Sequence, residues 1–102
     1  MRKVKVLLEP KKKMHGYMGM NKHAAKKLHF PEKVSKPMVK KTLRKKVRHD
    51  TEKHEYIEDG LIKRGMNYKP AHKIALKREK KPLKGVQFVE VKAKTKKKRK
   101  RK

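Results

Sequence analysis

The chain has 102 residues, of which 36 are Lys or Arg and nine are Asp or Glu, for a formal net charge of +27. It has no cysteine, which excludes disulfides, thiol catalysis and cysteine-ligated metals. Leu, Ile, Val and Phe together number 20, close to the one-fifth level below which a strongly charged chain cannot bury enough apolar surface to offset its ordering entropy.

Residues 2–9, RKVKVLLE, alternate Val4, Val6 and Leu8 with Lys3, Lys5 and Leu7. That is a strand pattern, ended by Pro10. Residues 11–20, KKKMHGYMGM, read as a loop whose glycines allow close backbone approach, with Tyr17 available to stack on a base. Residues 21–30 read as a short helix capped by Asn21 and stopped before Pro31. From Pro37, the residues Val39, Leu43, Val47, His54, Ile57 and Leu61 recur at helical spacing. They predict one long helix over 37–59, basic in its first half, acidic in its second, and stopped or bent near Gly60. Like charges at Lys40/Arg44 and Lys41/Lys45 weaken it by roughly 0.2–0.5 kcal/mol per pair. A third helix is expected over 70–80, with Pro70 in its first turn. Residues 86–91 are a strand, either buried between partners or paired with residues 4–8 in a two-stranded ribbon. Residues 92–102 are a self-repelling basic block with the form of a nuclear localisation signal.

The expected fold is therefore mainly α, extended and non-globular. Short helices lie near 21–29, 37–59 and 70–80, isolated strands near 3–8 and 86–91, and a disordered basic tail follows. The segments are a basic N-terminal arm with a Gly/Met loop (1–20), a helical segment (21–81), a strand-like segment (82–91) and the tail (92–102). No apolar run approaches the roughly 18–20 residues of a membrane span, and the N-terminus lacks the features of a secretory leader. Such a chain is expected to take its shape from an anionic scaffold.

Catalysis finds little support. The six histidines form no HxxxH or HExxH element, and His49 and His54 are five apart, so no metal site and no cofactor are expected. No glycine-rich phosphate loop is present, and Ser35 is the only serine. The acids Glu55, Glu58 and Asp59 read as charge-offsetting partners, as in an Asp59–Lys63 pair. No enzyme and no small-molecule substrate is expected.

Binding remains. Lysine outnumbers arginine, which favours point-charge contact with phosphates over bidentate base reading. Structured RNA recognised by backbone and shape fits best. The expected RNA contacts are Lys11, Lys12, Lys13, Tyr17, Lys26, Lys27, Lys40, Lys41, Arg44, Lys45, Arg48, Tyr68, Lys97, Lys98, Arg99 and Arg101. The expected partner anchors are Val39, Leu43, Val47, Ile57, Leu61 and Phe88.

The lysine-rich ends, the strand-like start RKVKVLLE and the terminal KKKRKRK resemble small eukaryotic ribosomal proteins and nucleolar assembly factors. That resemblance implies binding to rRNA beside neighbouring ribosomal or assembly proteins, in the nucleolus, nucleus or cytoplasmic ribosome, with a mitochondrial ribosome less favoured. The alternatives are a chromatin or DNA-binding protein and a protein-interaction module using the 38–62 helix.

Overall fold

The alternation at the N-terminus makes Arg2–Glu9 a strand, β1. The computed structural model describes residues 2–92. After β1 come α1 (Lys11–Met14), β2 (Gly19–Met20), α2 (Lys22–Leu28), β3 (Met38–Lys40), α3 (Lys45–Lys63), α4 (Tyr68–Arg78) and β4 (Val86–Lys92). The four strands form one mixed sheet in the order β2-β3-β1-β4. β1 runs parallel to both neighbours, with Leu8 beside Val39 of β3 and Val4 beside Phe88 of β4. β2 is antiparallel to β3, placing Gly19 opposite Val39 and Met20 opposite Met38.

Because β3 and β4 flank β1 and both run parallel to it, the chain between them must cross the sheet. α3 and α4 are that crossing. α3 lies on the face that carries Val4, Val6 and Val39: its Tyr56 meets Phe88 edge-on at 5.8 Å, and its Arg48 donates to Glu90 at 2.5 Å. Leu7, Met20 and Met38 point to the other face. They join a cluster with Met14, Ala24, Ala25 and Val34, to which the helices add Ile62 and Ala71.

This overturns the expectation of an extended, mainly α, non-globular chain. The radius of gyration is 13.8 Å, near the value of about 13 Å for a folded domain of this length and far from that of an open chain. The physical reason is that the core does not depend on Leu, Ile, Val and Phe alone. Met14, Met20 and Met38 are at most 3% exposed, and Ala24, Ala71 and Ala75 at most 1%. A count restricted to branched and aromatic residues misses all six. The stretches read as isolated strands are neighbours in the sheet.

The helix expected over 37–59 is also corrected. Its first turns are strand β3 and a turn, and helix begins only at Lys45. Like-charge repulsion along 40–45 weakens helix there, and pairing with β1 satisfies the same backbone groups: Leu7 N–H donates to the Pro37 carbonyl and Lys41 N–H to that of Glu9. At the other end α3 runs through Gly60. It closes at Gly65, whose φ of 106° only glycine adopts without strain. Gly65 N–H bonds the Ile62 carbonyl and Met66 N–H that of Leu61, a glycine-terminated cap. The predicted tail, with Lys97, Lys98, Arg99 and Arg101, lies outside the described residues.

Candidate functional site

Thr51, Glu55, Glu58 and Ile62 recur along α3 at four, three and four, and all are buried. The inward face of the long helix is thus largely acidic. Glu52, Glu55 and Glu58 are at most 5% exposed, and His54 beside them 6%. Buried charge is tolerated only where donors meet it, and here they arrive from α2 and α4. Asn21 is fully buried at the start of α2. Its Oδ1 accepts from Ala24 N–H at 2.8 Å, capping α2, while Nδ2 donates to Glu55 Oε1 at 2.7 Å and Glu58 Oε1 at 3.1 Å.

The other Glu58 oxygen faces two histidines. Oε2 lies 3.0 Å from His54 Nε2 and 2.7 Å from His72 Nδ1, and those two nitrogens are 3.1 Å apart. The far side of the His54 ring donates from Nδ1 to Glu79 Oε1 at 2.7 Å. Tyr68 stacks on His72 with ring centroids 5.2 Å apart. Among the described residues, His54, Glu58 and His72 form a group able to present three ligand atoms to one cation, all within 4.8 Å of one another.

The electrostatics follow from burial. Burial opposes charge on His54, but the hydrogen bond to Glu58 and the nearby charges of Glu55 and Glu58 outweigh it and hold the imidazolium up to about 9. Burial likewise opposes charge on Glu58, yet bonds from His54 and His72 keep it below the usual carboxylate range. At Glu55 the His54 charge and the Asn21 hydrogen bond do not suffice. Burial and the Glu58 charge push it up to about 8. Burial, aided by Glu90, does the same to Glu52, whose Oε2 has no hydrogen-bond partner among the described residues. Tyr68 is pushed up to about 12 by burial and the Glu58 and Glu55 charges.

His54, Glu55, Glu58, Tyr68, His72 and Glu79 line a pocket of about 350 Å³ between the Gly16–Met20 segment, α3 and α4. Gly19 brings that segment directly onto α3. A Cβ added there would sit 2.6 Å from Thr51 Cγ2 and 2.7 Å from Glu55 Oε2. Gly19→Ala is expected to destabilise the fold by about 1–3 kcal/mol through overpacking, measured by urea unfolding. An unchanged midpoint would show that the two segments can separate freely.

Elsewhere histidine, more than lysine, meets the acids. Glu32 takes His15 at 2.9 Å, Glu52 takes His49 at 3.0 Å and Asp59 takes His23 at 2.7 Å. The expected Asp59–Lys63 pair is replaced by this last contact. Ion pairs drawing on lysine or arginine are Lys13–Glu32, Arg48–Glu90 and Lys53–Asp50. Among the residues expected to contact RNA, Lys11, Lys12, Lys13, Lys26, Lys27, Lys41, Arg44 and Lys45 are exposed, and Lys40 is half-buried. Arg48 is engaged by Glu90. Tyr17 is 38% exposed, its ring edge-on to Phe30, and Tyr68 lines the pocket.

The expected partner anchors differ in exposure. Val39 is completely buried in β3, while Leu43, Ile57, Leu61 and Phe88 are half-buried within the fold and Val47 is exposed. The cluster of His54, Glu58, His72 and Glu79 escaped the sequence reading. A usable signal was present, since His54 and Glu58 stand four apart on a helix, but the partner from α4 had no signal at all. Comparison with protein-family models, curated proteins and solved structures finds no match, so function must be argued from this geometry and charge.

Proposed function

We propose that the protein binds structured RNA through its phosphate backbone and shape, as a structural or assembly component of a ribosomal or pre-ribosomal particle. The observation that carries this reading is the segregation of charge. Glu52, Glu55 and Glu58 of α3 turn inward to Asn21 and histidine, and lysines of α1, α2 and the β3–α3 turn stay at the surface with few carboxylates to compete for them. A chain of formal charge +27 thereby presents an exterior more uniformly cationic than its composition requires. Such a surface neutralises phosphates and releases their counterions. The ribosomal setting rests on the resemblance in composition and layout.

Binding of the full chain to an RNA hairpin, followed by fluorescence anisotropy from 50 to 200 mM salt, tests the proposal. With about six to ten phosphates engaged, affinity should fall by roughly 10³–10⁵ over that range. Lys26→Gln with Lys27→Gln should lower the slope by about one unit per lysine that contacts a phosphate. Absence of binding at 50 mM salt, or a flat salt response, overturns the reading. Preference for a DNA duplex at matched salt would favour the chromatin alternative. The interaction-module alternative has less support, because Val39 and Ile62 are already buried within the chain's own core.

A further inference from the structure

We infer that His54, Glu58 and His72 form a binding site for a Zn²⁺-class divalent cation, with one coordination position open to the pocket between the Gly16–Met20 segment, α3 and α4. The inference is independent of RNA binding.

The first support is geometric. The three ligand atoms form a triangle with sides of 2.7, 3.0 and 3.1 Å. Tetrahedral zinc with bonds of about 2.05 Å has ligand-to-ligand edges of about 3.3 Å, so the triangle is only slightly contracted. A point about 2.05 Å from all three atoms lies about 1.1 Å off their plane, so a cation could bind with little ligand movement.

The second support is chemical. Nε2 of His54 and Nδ1 of His72 both turn toward one Glu58 oxygen, 3.1 Å from each other. With the two nitrogens deprotonated, the rings and the carboxylate present three lone pairs to one point, which is what a shared cation requires. The Nδ1 bond of His54 to Glu79 at 2.7 Å fixes the ring and leaves Nε2 as the ligating atom, the outer-shell arrangement that orients metal-bound histidine.

The third is electrostatic. In a chain in which 36 of 102 residues are Lys or Arg, no lysine or arginine among the described residues lines this pocket, while Glu55, Glu58 and Glu79 do. A recess lined by carboxyl and imidazole groups is a place that a positive ligand can enter. The donor set narrows the choice. Two imidazoles and a carboxylate suit Zn²⁺ and similar cations, whereas Mg²⁺ and Ca²⁺ prefer oxygen alone. Three protein ligands at the wall of an open pocket leave a position for water, as in catalytic zinc sites.

The test is titration of the full chain with Zn²⁺, and with Co²⁺ as a spectroscopic probe. One equivalent should bind, Co²⁺ should develop the intense visible bands of four-coordination, and excess Mg²⁺ should not compete. His72→Ala should weaken binding by more than about 100-fold, and Glu79→Gln by about 10–100-fold, the range for an outer-shell partner. His23→Ala with His49→Ala, which removes histidines that do not line the pocket, should leave affinity within about twofold. Circular dichroism checks that each variant is folded. Added azide should shift the Co²⁺ spectrum by occupying the open position. Equal affinity of the unaltered chain and His72→Ala, or loss of binding in the His23/His49 variant, overturns the site. A Co²⁺ spectrum indifferent to azide overturns the open position.

Discussion

Replacing Asn21 by Ala is expected to cost about 3–5 kcal/mol, a large part of the 5–15 kcal/mol that stabilises an ordinary domain. Asn21 serves three groups at once. Its carbonyl oxygen caps α2 at Ala24, worth about 1 kcal/mol. Its amide donates to Glu55 and to Glu58, both almost fully buried. Removing the amide leaves carboxyl oxygens without a donor where water has little access, and this is the larger part of the expected loss. Asn21→Asp separates the contributions, because Asp caps as well as Asn but sets a further acceptor against Glu55 and Glu58. It should therefore destabilise at least as much as Asn21→Ala. Urea unfolding reads both variants. Recovery of stability in the Asp variant would reduce Asn21 to a helix cap.

Truncation of Met20 should be nearly as damaging. Met20 is 1% exposed and stands on the short edge strand β2, opposite Met38, where it fills the cluster beneath α2. Met20→Ala removes most of a fully buried side chain that sheet and helices cannot easily close over, for a loss of about 2–5 kcal/mol. Met18, two residues earlier, is 48% exposed, so Met18→Ala should stay within about 0.5 kcal/mol of the parent. Equal effects at the two positions would mean that β2 does not hold its register on β3.

The acidic face of α3 links these results to both functional readings. Sinking Glu52, Glu55 and Glu58 into the interior weakens a small core, since unpaired buried charge is costly. The arrangement leaves the lysines of the exterior with few internal competitors for a polyanion. It also lines with carboxyl groups the pocket in which His54, Glu58 and His72 converge.

Much of the local structure was legible in the order of residues. The alternation of Val4, Val6 and Leu8, the cap at Asn21 and the helical pattern of 70–80 each depend on neighbours within a few positions. Those preferences act through backbone sterics and short-range hydrogen bonds, so they survive without knowledge of the fold. The overwhelming positive charge is likewise a property of composition alone. The orientation of α3 is of another kind. Hydropathy placed Val47 on the apolar stripe and Glu55 among charge-offsetting acids; in the fold Val47 is exposed and Glu55 buried, because Asn21, 34 positions away from Glu55, supplies a donor that no local pattern announces. Met14 and Met18 look alike in sequence, yet one is sealed and the other half exposed. The split of the 37–59 stretch into strand and helix was decided by the neighbouring β1. His72 reaches Glu58 only because α4 folds back on α3. Pairings between distant residues depend on where the backbone returns, and in this protein they settled whether a highly charged chain closes on itself at all.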